Sequence, residues 1–371
     1  AGAGKTSKAV WFLVLLPLVV ASSRLRRRGA FMMAIAAITV LPQETALAGT
    51  AKGINAVQFK PTASGLGLSE KAESIRPLRF NVGLITDYSN DSVELGGEKN
   101  KRLESVVDDV VTLHGVFELG LMKNLQAGLH IPYVHKTDVA REVSGDEFTS
   151  QNVGVASDAT LDFKYRFYTY KNMIFAVQPF ATIPIGEEKR LTGDGKANFG
   201  LNWLMSGRYS RIEFAYNLGY LHRQDKVLLQ DDRSEVVTIR GHVINRAGMA
   251  YVFRPYLKAG GSLQMKFSSG APVDFGRANP AEWNSFVRYE PLRALSTEVG
   301  FGTGIGKGYG SPDYRAYFGL AYTPGSSERI TRTRVVRKAS KPAKAKAATK
   351  KPRRKVVVTS SSSARKPPAR R

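Results

Sequence analysis

His114 and His130 fall on the same face of two neighbouring stretches joined by a tight turn at Met122 to Asn124, with Glu118 close by. Two imidazoles and a carboxylate so placed could hold a metal ion or a proton. They could equally be the polar lining of a wet lumen. His135, His222 and His242 have no clustered partner, and the nearness of Asp231 and Asp232 to His222 is thin ground for a protease. No His-x-Ser occurs, so the pair expected of a membrane-embedded phospholipase is missing. "AGAGKT" at the start lacks the leading Gly and preceding strand of a phosphate-binding loop. The glycines at 300, 302, 304, 306, 308 and 310 never form G-x-G-x-x-G. They read as one bare face of a strand, leaving lumen space or lying beneath an aromatic such as Tyr317. The expectation is a non-enzyme with no catalytic residues, no cofactor and no metal.

The elements that would position these groups come from charge and periodicity. Of the net charge of +24, residues 1–48 carry +5 and residues 326–371 carry +16, so only +3 remains for residues 49–325. The basic character therefore belongs to the ends, and nucleic acid is not an expected partner. Cysteine is absent, which excludes a disulfide framework, a thiolate metal site and a lipidated N-terminal Cys. Arg24, Arg26, Arg27 and Arg28 precede the apolar "GAFMMAIAAITVL" and the small-residue ending "ETALAG". That order predicts an export signal over residues 1–48, cleaved after Ala48. The earlier apolar run, Val10 to Ala21, is broken by Pro17 and is shorter than the roughly 20 residues a spanning helix needs. Any membrane crossing after Ala48 must be made by strands.

Between residues 78 and 322 apolar and polar residues alternate with a period of two. Leu78, Phe80, Val82 and Leu84 face away from Arg79, Asn81 and Gly83; Leu161, Phe163, Tyr165 and Phe167 face away from Asp162, Lys164 and Arg166. About twelve such segments, each near the length that crosses a bilayer obliquely, are separated alternately by tight turns and long polar stretches. The tight turns fall at Met122 to Asn124, Tyr170 to Met173, Tyr209 to Arg211, Arg254 to Tyr256 and Pro291 to Ala294. This predicts an all-β, antiparallel, up-and-down transmembrane barrel over residues 78–325. Residues 49–77 are expected as a periplasmic N-terminal segment, with plugging by residues 49–76 left open. The residues expected to line the pore are Arg79, His114, Glu118, His130, Asp162, Lys164, Arg166, Glu213, Arg246, Lys258, Lys266, Glu298 and Arg315. An even strand count would place both termini in the periplasm.

The strings "FELGLMKNLQAGLHIPYV", "DATLDFKYRFY", "FATIPIGEEKRLTGDGKANFGLNW" and "EFAYNLGYL" resemble Gram-negative outer-membrane barrels of the OmpA-like and phenol-degradation-pathway-type transporter (porin-like) family. The resemblance spans roughly residues 75 to 325. It implies a small barrel of about twelve strands with a role in passive uptake or envelope architecture. OmpA-type relatives often add a peptidoglycan-binding domain after acidic calcium-binding repeats. Neither is present here, so that function does not carry over.

The leading expectation is a narrow porin-like channel for small solutes or ions in the outer membrane. Its neighbours would be membrane lipid and lipopolysaccharide, with homo-oligomerisation left open. The alternative is a closed structural barrel. Its disordered Lys/Arg-rich tail, residues 326–371, would bind peptidoglycan or other anions through Lys350, Lys351, Arg353, Arg354 and Lys355.

Overall fold

A computed structural model describes residues 55, 57–96, 102–139, 154–187, 192–223, 226–228, 237–269, 278–292, 294–306 and 308–324. The expected signal and basic tail, including the five tail residues, lie outside the described residues. The strands are β1 (Phe80–Gly96), β2 (Arg102–Met122), β3 (Leu125–Val139), β4 (Val155–Ala156), β5 (Ala159–Tyr170), β6 (Met173–Ile183), β7 (Asn198–Tyr209), β8 (Ile212–His222), β9 (Lys226–Leu228), β10 (Val237–Ile239), β11 (His242–Arg254), β12 (Leu257–Ser268), β13 (Ala281–Leu292), β14 (Leu295–Gly304) and β15 (Tyr314–Tyr322). Twelve of them form a ring, each antiparallel to its neighbours: β1-β2-β3-β5-β6-β7-β8-β11-β12-β13-β14-β15 and back to β1. The short β4 pairs with β3, and β9 and β10 make a separate two-stranded ribbon.

Closure is made by β1 and β15, in continuous register from Val82↔Tyr322 to Asn90↔Tyr314. Strand pairing explains why it is complete. In hydrocarbon an unpaired N–H or C=O has no water to bond, and a ring leaves no open edge. Side chains are distributed inside out. Leu84 and Phe318 are 52% and 48% exposed, whereas Asn81, His114, Gln126, Asn217 and Asn284 are at most 1% exposed. Lipid contact outside and polar contact inside are what such a distribution requires.

Two kinds of connection mark two ends of the barrel. The tight turns lie at the turn end, two of them placing a non-glycine residue at positive φ: Lys171 at 52° and Ser210 at 56°. The long connections lie at the loop end. The long polar stretch "NDSVELGGEKNKRLES" is strand at both ends. β1 continues to Gly96 and β2 begins at Arg102, with register shifts between Asn90 and Val93. The run from Val237 to Phe253 is divided between two sheets. Val237–Ile239 pairs with Lys226–Leu228, and the barrel strand starts only at His242. Ribbons beyond the lipid can meet water on both faces, so they need no apolar alternation to announce them.

The segment before β1 fills the ring. Of residues 49–77, expected as a periplasmic N-terminal segment with plugging left open, the described part, Asn55 and residues 57–77, runs along the inside of the barrel toward the turn end. Asn55 binds Ser157 and Asp194 at the loop end, while Ile75 binds Gln126 near the tight turns. Phe59, Ala63, Leu66 and Leu68 pack with Ile85, Val116, Ala215, Ala250, Phe286, Tyr317 and Ala321 of the wall as the main apolar core. Leu66 and Ser69 exchange backbone hydrogen bonds of 2.8 and 3.0 Å around a turn at Gly67, whose φ is +57°. A Cβ on Gly67 would sit 2.5 Å from Ser262 Oγ, so both conformation and space call for glycine. Gly300 meets the other expectation made of the glycine row, since the Tyr317 ring lies directly over it from the paired position on β15.

Phe318→Arg, midway along the outer face of β15, should lower stability in bilayers by about 2–4 kcal/mol. Urea titration of protein refolded into vesicles checks this; an unchanged midpoint would mean that this face does not meet lipid.

Candidate functional site

The polar half of the plug is held by one partner after another. Lys164 Nζ donates to Glu70 Oε1 at 2.7 Å and to the Lys71 carbonyl at 3.1 Å. Asn217 brackets Glu70, accepting from its N–H at 2.8 Å and donating to its carbonyl at 2.7 Å. Lys71 Nζ reaches Glu213 at 2.9 Å. Ser206 accepts from the Ala72 N–H at 3.0 Å and donates to Glu73 at 2.7 Å. The plug has no ladder of its own here, so wall side chains satisfy its backbone. An inward face of Asn, Ser, Gln and Lys is therefore what this segment needs in order to fold.

Further toward the loop end a belt of ionisable groups runs along adjoining strands. Arg315 of β15 binds Asp87 of β1 and Glu282 of β13, the latter at 2.9 Å. Asp87 is 2.6 Å from His114 Nε2, and His114 Nδ1 is 3.0 Å from His130 Nε2 with the two rings stacked. Phe59 of the plug sits against this belt. The Arg315 guanidinium lies 4.5 Å from its ring centroid and the His114 ring meets it edge-on at 5.5 Å. The plug's aromatic is thus seated on a cation–π contact as well as on apolar wall.

Above the belt, Asp158 accepts from the N–H groups of Gly186 and Asp194, tying two long connections together. Asp194 in turn binds Asn55, Asn198 and Arg223. Arg223 donates to the Tyr309 hydroxyl at 3.1 Å, and burial pushes that phenol up to about 12, so it stays neutral. Loops from four parts of the chain and the start of the plug therefore share one hydrogen-bonded cap.

Of the expected lining residues, His114, Glu118, His130, Asp162, Lys164, Glu213, Arg246, Lys266 and Arg315 are buried inside the ring, and the Lys258 and Glu298 side chains are 13% and 11% exposed. Arg79 is exposed at the turn end before β1 begins, and Arg166 donates at that rim to Asn124 and the Lys123 carbonyl. These two lie at the mouth because the alternation was extended to strand ends, where side chains turn toward water. The structure brings His114 and His130 together, but the acid beside them is Asp87. Glu118 instead accepts from Ser64, Asn81 and Gln126. Asp87, Glu282 and Arg288 were missed, although each occupies an alternating inward position; Arg288 pairs with Glu298 at 2.6 Å. Among the described residues no group of three or more metal-binding side chains converges.

Lys164→Met leaves Glu70 without its ion-pair partner inside the barrel, where removing one member of a buried pair costs about 3–5 kcal/mol. The plug should then become cleavable by trypsin at Lys71, and Lys164→Met with Glu70→Gln should regain protection. Equal protection of the single variant and the parent would show that the pair does not hold the plug.

No family model matches the chain, and no curated protein matches it. Solved structures do. An outer membrane channel from Pseudomonas putida F1 aligns with a TM-score of 0.50 at 12% identity, over 67% of this chain and 97% of that one. The NanC porin aligns at 0.43 and 7%, over 65% and 98%, and the CymD monoaromatic hydrocarbon channel at 0.37 and 10%, over 73% and 98%. The resemblance read in the sequence stands as one to outer-membrane barrels, without extending to the OmpA-like label. The fold is a closed antiparallel barrel of twelve strands, similar to that of the Pseudomonas putida F1 structure.

Proposed function

We propose that this chain is an outer-membrane channel for small solutes or ions, with the turn end toward the periplasm and residues 55–77 acting as a removable plug. The observation that carries this reading is the chemistry of the plug's seat. From Glu70 to Ile75 it is held by ion pairs and side-chain hydrogen bonds, all of which water can replace. A permanent filling would favour apolar packing, because a buried ion pair adds little to stability over well-packed apolar residues of the same size. Here the apolar part is centred on the stretch around Phe59 to Leu68, with only Ala72 packed beyond it against Ala176 and Leu204. A ring of twelve strands lies between eight, which side chains fill, and sixteen, which leave an aqueous channel. Such a lumen can be closed by a single segment and narrowly open without it.

Single-channel recording in planar bilayers tests the proposal. Protein lacking residues 55–77, shown to be closed by heat-modifiable gel mobility, should give larger and longer conductance steps than the full chain. Absence of steps from both forms would overturn the channel reading.

The filled lumen itself favours a second reading, a closed structural barrel. In it the basic residues Lys350, Lys351, Arg353, Arg354 and Lys355 would bind peptidoglycan. Retention on isolated sacculi at low salt, unchanged after removal of residues 326–371, would count against it.

A further inference from the structure

Most buried cations of the barrel interior have a carboxylate partner. Lys164 has Glu70, Arg288 has Glu298, Arg315 has Asp87 and Glu282, and Arg223 has Asp194. Two do not. Arg246 and Lys266 are 8% and 7% exposed, and among the described residues neither makes an ion pair. Arg246 spends only its Nε, donating to Gln264 at 2.7 Å. Lys266 donates to the side-chain oxygen of Gln58, and at 3.4 Å to the Gln58 carbonyl. Both partners are neutral amides, one from the wall and one from the plug.

The two cations are also neighbours. Gln264 pairs with Arg246 across β11 and β12, and Lys266 lies two residues further along the same face, a diagonal of roughly 7 Å. Two adjacent positive charges largely withdrawn from water and bonded only to amide oxygens, with Glu70, Glu282 and Asp194 acting on them only through space, are costly unless an anion joins them. The terminal nitrogens of Arg246 bond nothing among the described residues, and that fork matches the two oxygens of a carboxylate.

We propose that Arg246 and Lys266 form a binding site for a small carboxylate-bearing solute, and that Gln58 of the plug occupies part of it as a neutral stand-in. This deepens the reading as a plugged channel: an acidic solute arriving from the loop end takes Lys266 from Gln58 and so loosens the top of the plug. The site selects by charge, and the plug competes with the solute for the same ammonium group.

Isothermal titration calorimetry of the refolded full chain with malonate, in low-chloride buffer, reads the site without requiring conduction. The parent should bind malonate, and Arg246→Gln with Lys266→Gln should weaken binding about tenfold or more, the loss expected when charge-assisted hydrogen bonds become neutral ones. Gln58→Glu places a carboxylate from the plug on the same cations and should also weaken malonate binding, with both cations intact. No binding by the parent, or equal binding by the parent and the double Gln variant, would overturn the proposal. The channel reading fails separately, through silence of both the full and plug-deleted proteins in planar bilayers. Where channels do open, the parent's reversal potential in a potassium chloride gradient should show an anion preference that the double Gln variant loses.

Discussion

The antiparallel seam between β1 and β15 is the constraint on which the rest of the molecule depends. Its nine paired positions, Val82↔Tyr322 to Asn90↔Tyr314, turn a sheet with two open edges into a ring. In a bilayer each open edge would present unpaired N–H and C=O groups to hydrocarbon, at a cost of several kcal/mol for every group. The outer residues can be apolar because the backbone behind them is already satisfied. Closure also makes the inner face a compartment of its own, with its own rules of polarity.

That compartment explains why a segment without secondary structure lies at the centre of the protein. The inward face of a ring this size offers many donors and acceptors, and the plug brings a backbone that also needs them. Asn217, Ser206, Gln126 and Ser262 each take up a main-chain group between Leu68 and Ile75. Wall and plug are complementary in the way two strands are, but side chains on one partner do the work of a backbone. Apolar burial adds direction at Phe59, Ala63, Leu66 and Leu68 and fixes which part of the segment lies deepest.

The barrel was legible in the sequence because a membrane enforces the signal that sequence reading uses. One face must be apolar wherever a strand meets lipid, so Leu161, Phe163 and Tyr165 against Asp162 and Lys164 could be read directly. Outside the lipid that constraint ends. The upper halves of β1 and β2 and the β9–β10 ribbon carry no such alternation, so the sequence pattern does not announce them. The plug was illegible for a related reason. "NAVQFKPTASGLGLSEKAESIRP" has no period, because its contacts are set by the wall residue that happens to be opposite, not by a repeating geometry. The pairing of His114 with His130 followed from the short turn between their strands. Its acidic partner did not, since Asp87 comes from β1 on the far side of β2 and is placed by register.

The balance of charge inside the ring follows from the same separation of faces. Each inward ionic group is held in a space with little water, where an unmatched charge is far more costly than at a surface. The belt from Glu282 through Arg315 to Asp87 meets this demand within the wall, and the Lys164–Glu70 and Lys71–Glu213 pairs meet it between wall and plug. The first kind is independent of whether the plug is seated. The second is not: without the plug, Lys164 would lose Glu70, and Glu213 would lose Lys71 and keep only the longer contacts to Lys258 and Arg208 at 3.4 and 3.6 Å. Plug position and lumen charge are therefore coupled, because the plug carries one member of each of these pairs.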